Sequence, residues 1–183
     1  MSCKPPKIFG IGFHKTATKS LASALRLLGY RVHGPEWVQD PQACVSLESL
    51  WARALPVVDA YDAFQDNPWP LLWRPLVEHF PDARFILTVR DEEQWLASAL
   101  RYFGTQSTPM RQLIYGNDAG SPVGNEARYL ERYRQHNEHV REAFAGDSRF
   151  LEMNITAGEG WSTLCAFLER EIPAPAFPHA NRG

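Results

Sequence analysis

After a short apolar run, the chain reads Gly10-Ile11-Gly12-Phe13-His14-Lys15-Thr16-Ala17-Thr18-Lys19-Ser20-Leu21. Lysines and hydroxyls packed this closely, where a strand would turn into a helix, are suited to holding an anion such as a phosphate. The helix N-terminus presents free backbone N–H groups, and the helix dipole adds to the attraction. Lys15 and Lys19 contribute full charges, and Thr16, Thr18 and Ser20 contribute hydroxyl donors. The alternative is that Lys15, Thr16 and Thr18 only cap a helix. Gly10 and Lys15-Thr16 suggest a Walker-type phosphate loop, but its second glycine is missing and His14 precedes the lysine. The strand ending at Val89 runs into Arg90, not into the aspartate that would bind magnesium for an ATPase.

A second place for an anion lies at Thr88-Val89-Arg90-Asp91-Glu92-Glu93-Gln94-Trp95-Leu96-Ala97-Ser98. Arg90 stands at the carboxyl end of a strand, and Ser98 follows eight residues later within a helix. A guanidinium fork suits an exposed phosphate, and the serine can add a hydrogen bond. The alternative is a surface ion pair of Arg90 with Asp91 or Glu93. His136 and His139, beside Glu138 and Glu142, read as a solvated helix face, so no metal is expected.

The elements that must position these groups alternate. Strands are predicted at 7–13, 30–33, within 56–64, at 84–89 and at 149–153. Helices are predicted at 15–28, 46–55, 68–80, 92–103, 126–144 and 160–170. In the first helix, Leu21, Ala24, Leu25 and Leu28 keep helical spacing up to Gly29. In the fourth, Trp95, Ala99 and Tyr102 share a face. Residues 104–125 read as a long loop, and the Pro-rich tail from Ile172 as extended. This alternation implies an α/β fold, a three-layer P-loop-like domain with a central parallel sheet flanked by helices. Such sheets bind ligands at the carboxyl ends of their strands, here just after Phe13, Phe64 and Val89.

Totals set the limits. A chain of 183 residues fits one domain, 1–183, and 44% hydrophobic residues suffice for a buried core. With 19 basic and 21 acidic residues, the net charge of −2 argues against nucleic acid or a membrane surface as a partner. No apolar stretch is long enough for a membrane span. Cys3, Cys44 and Cys165 leave one over from any disulfide, and a cytoplasmic location is the simpler expectation.

Together the two anion segments resemble the sulfotransferases that use 3′-phosphoadenylyl sulfate. The loop His14-Lys15-Thr16-Ala17-Thr18-Lys19-Ser20-Leu21 looks like that family's 5′-phosphosulfate loop. Arg90 and Ser98 look like its 3′-phosphate site, and Phe80-Pro81-Asp82-Ala83-Arg84-Phe85-Ile86-Leu87-Thr88-Val89-Arg90-Asp91 is similar to the lead-in. Phe167-Leu168, Pro173 and Phe177-Pro178-His179-Ala180-Asn181 resemble a small, mainly bacterial branch.

The resemblance implies a donor, 3′-phosphoadenylyl sulfate, and a product, adenosine 3′,5′-bisphosphate. It implies that Lys15 stabilises the leaving phosphate and bridging oxygen, while the N–H groups of Thr16, Ala17, Thr18 and Lys19 and the Thr18 hydroxyl hold the phosphosulfate. Ser20 continues the loop, and His14, adjacent to the lysine, is placed either to touch sulfate or only to fill the turn. Arg90 and Ser98 would grip the 3′-phosphate.

A general base must take the acceptor's proton. Where relatives place a histidine or glutamate, this chain has Gln65-Asp66-Asn67-Pro68, which makes Asp66 the first candidate. Its alternative role is to cap the helix near Pro68. Asp62, Asp59 and His14 come second. The family's glycine- and lysine-rich C-terminal segment is missing, with Asn181-Arg182 a faint stand-in.

Trp37, Trp69, Trp73, Tyr102 and Tyr115 are candidates to line a pocket for a small-molecule or glycan acceptor. A magnesium-dependent P-loop kinase or nucleotidase, and a non-catalytic nucleotide-binding module, are the rival functions.

Overall fold

The structure is a computed structural model that describes residues 5–179. Cys3, Ala180, Asn181 and Arg182 lie outside the described residues. Five strands, β1 (Ile8–Gly10), β2 (Val32–His33), β3 (Ala63–Phe64), β4 (Arg84–Thr88) and β5 (Phe150–Met153), form one sheet in the order β2-β3-β1-β4-β5. Every pairing is parallel. The fold is therefore α/β, as the alternating pattern predicts.

The strands are short and apolar because both faces of the sheet are covered. Side chains alternate along each strand, so the pairing register sorts them into two cores. Phe9, Phe64 and Phe85 align across β1, β3 and β4 and lie in one core. Their rings stack, with Phe9 centroids 4.9 Å from Phe64 and 5.7 Å from Phe85. Ile8, Ala63 and Ile86 lie in the other.

Two helices cover the Ile8 face, α1 (Thr18–Leu27) with Leu21, Ala24 and Leu25, and α7 (Trp161–Leu168) with Trp161, Leu164 and Cys165. The opposite core holds residues of α2 (Leu47–Val58), α3 (Trp73–His79), α4 (Glu92–Phe103), α5 (Pro109–Tyr115) and α6 (Glu126–Ala143). None of the described helices is long and apolar enough to cross a membrane. Cys44 and Cys165 are buried free thiols.

Three expectations are corrected. Residues 56–58 belong to α2, despite Pro56, because Leu50, Ala54 and Val58 form one buried stripe at a spacing of four. The first strand stops at Gly10 and the first helix starts at Thr18, which leaves residues 11–17 as a loop.

Residues 104–125 are not only loop. Thr108 Oγ1 accepts from Arg111 N–H at 3.2 Å and Pro109 takes the first turn, a start signal for α5. The buried Arg111 then closes the segment, donating to Gly120 O at 2.9 Å and Gln106 O at 2.5 Å.

Candidate active site

The loop after β1 is built on a close approach. A Cβ on Gly12 would fall on Thr88 Oγ1 and O and lie 2.7 Å from Thr88 N, so only glycine fits beside β4. That approach brings Thr16 Oγ1 to 2.7 Å from Thr88 Oγ1, while Thr16 also donates to Phe13 O at 2.5 Å.

Lys15 and Ala17, flanking Thr16, are left-handed at φ 67° and 66°. Each costs a non-glycine residue on the order of 1–3 kcal/mol, a cost typical of functional loops. Alternating left-handed residues turn successive N–H groups toward one concavity, an anion-binding shape. Among the described residues, no protein group accepts from the backbone N–H of Lys15, Thr16, Ala17, Thr18 or Lys19. α1 has no side-chain N-cap, so the capping role considered for Lys15, Thr16 and Thr18 is not what they do.

Asp66 follows β3 at φ 61° and faces this loop. Its Oδ2 accepts from the Thr18 hydroxyl at 2.8 Å and its Oδ1 from Asn67 N–H at 2.8 Å. The carboxylate therefore reaches across to α1 instead of capping the 3₁₀ turn Trp69–Leu71. Burial pushes its pKa up from 3.8, against the pull of Thr18, Asn67, Lys15 and Lys19. Burial lowers the Lys15 ammonium, with Lys19, Arg101 and Arg90 pressing the same way and Asp66 opposing them. Lys19 is exposed at the helix start, and Ser20 is buried in the first turn.

His14 turns inward. Its Nε2 shares a hydrogen bond of 2.9 Å with the Tyr115 hydroxyl, Asn67 Nδ2 lies 3.4 Å from Nδ1, and Trp95 Nε1–H donates to His14 O at 2.8 Å. Burial, then Arg111 and Lys15, lower the imidazole to about 3, so it is neutral.

His136 corrects the expectation of a solvated face. It is 2% exposed, stacks on Phe13 with centroids 4.1 Å apart, and donates to Ile11 O at 2.7 Å. Burial lowers it to about 3 as well. Sequence reading missed this residue, although Tyr129, Tyr133, His136 and Val140 mark a buried stripe at spacings of four, three and four. His139 is exposed.

At the end of β4, Arg90 makes no ion pair among the described residues. Asp91 caps α4 instead, accepting from Gln94 N–H at 3.0 Å, and Glu92 pairs with Arg134. The Arg90 backbone is fixed by Tyr133, whose hydroxyl bonds both its N–H and its carbonyl at 2.9 Å. Its guanidinium Nε is buried and unsatisfied. Arg90 lines a cavity of about 260 Å³ with Asn137 and Asn154, whose wall also carries Asp91, Glu92 and Glu138 beside Arg134 and Arg141. Ser98 is 4% exposed, two turns into α4.

Asp62 is removed from the candidate bases. It sits at the opposite end of β3, bound in two contacts of 2.9 Å to Arg31. Asp59 follows α2 on the surface. The proposed aromatic lining also changes, since Trp69, Trp73 and Tyr115 are core residues at 8% exposure or less. Trp37 is half-buried and Tyr102 is exposed. Residues 11–20, 66 and 90 thus meet at the carboxyl ends of β1, β3 and β4, with Ser98 on the helix that follows.

The family described as "Sulfotransferase domain" matches residues 7–183. The chain is also similar to "Ava biosynthesis cluster protein M" of Aspergillus versicolor, with 25% identity over 214 residues, covering 94% of this chain and 80% of that protein.

Proposed function

The chain belongs to the sulfotransferase-domain family, and from that premise we propose that it moves a sulfuryl group from 3′-phosphoadenylyl sulfate to a hydroxyl or amine of a small-molecule or glycan acceptor. One observation carries this reading. Lys15 and Arg90, after the adjacent strands β1 and β4, are cations without a carboxylate partner among the described residues.

The residues present fit such a donor. Arg90 Nε is orphaned, the N–H groups of residues 15–19 are unclaimed, and Gly12 lets the loop lie against β4. When bound, the donor supplies a sulfuryl group on a phosphosulfate anhydride. Lys15 and the N–H groups of Thr16, Ala17, Thr18 and Lys19 stabilise negative charge on the leaving phosphate. Arg90 and Ser98 hold the 3′-phosphate, the feature that separates this donor from ATP. Asp66 takes the acceptor's proton, and its burial gives it more basicity than an exposed aspartate. His14, neutral and tied to Tyr115 and Asn67, supports the loop from behind.

The similarity to a protein named for a biosynthesis cluster supports a small molecule as acceptor. Transfer of ³⁵S from labelled donor to a panel of phenols, alcohols, amines and oligosaccharides tests the reading. Label in one acceptor class, lost in Lys15→Ala, is the expected result. Label in none of them, with the donor left unbound, would overturn it.

A further inference from the structure

The last turn of α4 closes over the β1–α1 loop. Phe103 meets the His14 ring edge-on with centroids 5.0 Å apart, and Lys15 Nζ lies 3.6 Å from the centroid of the Tyr102 ring. Tyr102 is 62% exposed, so burial of its own surface does not explain its position. Its defined polar contact is the Lys15 ammonium, with the Phe103 ring behind at 6.0 Å.

The charged groups bearing on that ammonium come from every neighbouring element. Lys19 lies on α1, Asp66 after β3, Arg90 after β4 and Arg101 on α4. Three are cations and one is an anion. Coulomb forces alone would drive Lys15 onto Asp66, yet no such ion pair forms and the ammonium rests on a ring face.

We propose that Tyr102 is a positioning residue for Lys15, holding its ammonium clear of Asp66 and open to an incoming anion. The inference rests on the reading of Lys15 and Asp66 given above.

The choice of partner matters. A carboxylate would neutralise Lys15, repel an arriving phosphosulfate and lose its own basicity in the pairing. A ring attracts the cation through its quadrupole and carries no net charge. Lys15 therefore keeps its full field, and Asp66 stays free of a cationic contact. The strength of such a contact, converted at tenfold per 1.4 kcal/mol, is worth about two- to thirtyfold in affinity.

Two measurements test this on the full chain. The first is NMR of lysine-labelled, ligand-free protein. Ring-current displacement of the Lys15 Hε signals is expected in the parent and in Tyr102→Phe, and its loss in Tyr102→Leu. The second is calorimetry with adenosine 3′,5′-bisphosphate in a double-mutant cycle. Tyr102→Leu weakens binding by about two- to thirtyfold in the parent, where Lys15 then closes on Asp66, but leaves it unchanged in an Asp66→Asn background.

An equal loss in both backgrounds would make Tyr102 a merely structural residue and overturn the proposal. So would unchanged Lys15 signals in Tyr102→Leu. Should no form bind the bisphosphate, the donor reading fails. The role of Tyr102 is then decided by whether the Lys15 titration in Tyr102→Leu moves up and returns in Tyr102→Leu/Asp66→Asn.

Discussion

The hydroxyl of Thr18 donates to Asp66 Oδ2 at 2.8 Å, joining the first residue of α1 to the segment after β3 across 48 residues. A threonine hydroxyl has one proton to give. In the proposed reaction both Asp66 and the phosphosulfate claim it. Donor binding therefore draws a hydrogen bond away from the base and makes it more basic. Thr18→Ser is expected to keep donor affinity and the pH profile. Thr18→Val is expected to weaken bisphosphate binding by about tenfold or more, one hydrogen bond to a charged group, and to move the acid limb of the kcat/KM profile, which reports the free enzyme, to higher pH. Calorimetry and pH–rate measurements check both, and an unmoved acid limb in Thr18→Val would contradict the coupling.

Asp66→Asn is expected to lower the transfer rate by about 10²–10⁴-fold, the usual contribution of a general base. Bisphosphate affinity is expected to survive, because the lost charge was repulsive toward an anion. In the parent, rate rises with pH through a value above 3.8, the direction in which burial moves Asp66. Full transfer by Asp66→Asn would assign the base elsewhere.

His14 and His136 are expected to make the fold acid-sensitive. Both have folded pKa values of about 3, against 6.5 unperturbed. The unfolded chain therefore takes up these protons first. Stability is full above pH 6.5 and falls as pH drops toward 3, by about 1.4 kcal/mol per pH unit for each histidine. Asp66, shifted upward, acts in the opposite sense as pH rises from 3.8. His136→Gln, which keeps an N–H donor for Ile11 O, is expected to lose stability less steeply between pH 6 and 4, by about one proton's slope. Urea unfolding across that range measures it.

Gly12→Ala is expected to cost about 1–3 kcal/mol or more through overpacking against β4. A second change, Thr88→Ala, is not expected to restore stability. The new methyl group meets the Thr88 carbonyl and nitrogen as well as its side chain. Thermal unfolding of the single and double variants checks this.

Much of this site was legible because strand ends are legible. A parallel sheet gathers its loops at one edge, so Phe13, Phe64 and Val89 marked where Lys15, Asp66 and Arg90 meet. β4 and α4 carried strong local patterns, and their observed limits differ little from the reading. Other parts depend on contacts that periodicity does not encode. Helix α5 hid inside a Gly- and Ser-rich stretch, although Thr108-Pro109 is a helix-start signature. His136 looked solvated because its charged neighbours outnumber the buried stripe it belongs to. Tyr102 read as the third member of an apolar face with Trp95 and Ala99. Those two are fully buried, while Tyr102 faces outward over Lys15. That pairing joins residues 87 positions apart, and no local pattern announces it.

In the proposed function, Lys15 and Arg90 form one socket for a nucleotide carrying both 3′- and 5′-phosphates. Calorimetry with adenosine 3′,5′-bisphosphate and with ATP, each with and without magnesium, tests it most directly. Bisphosphate binding that does not require magnesium and is lost in Arg90→Ala is the expected result. Tight, strictly magnesium-dependent binding of ATP with none of the bisphosphate would contradict it.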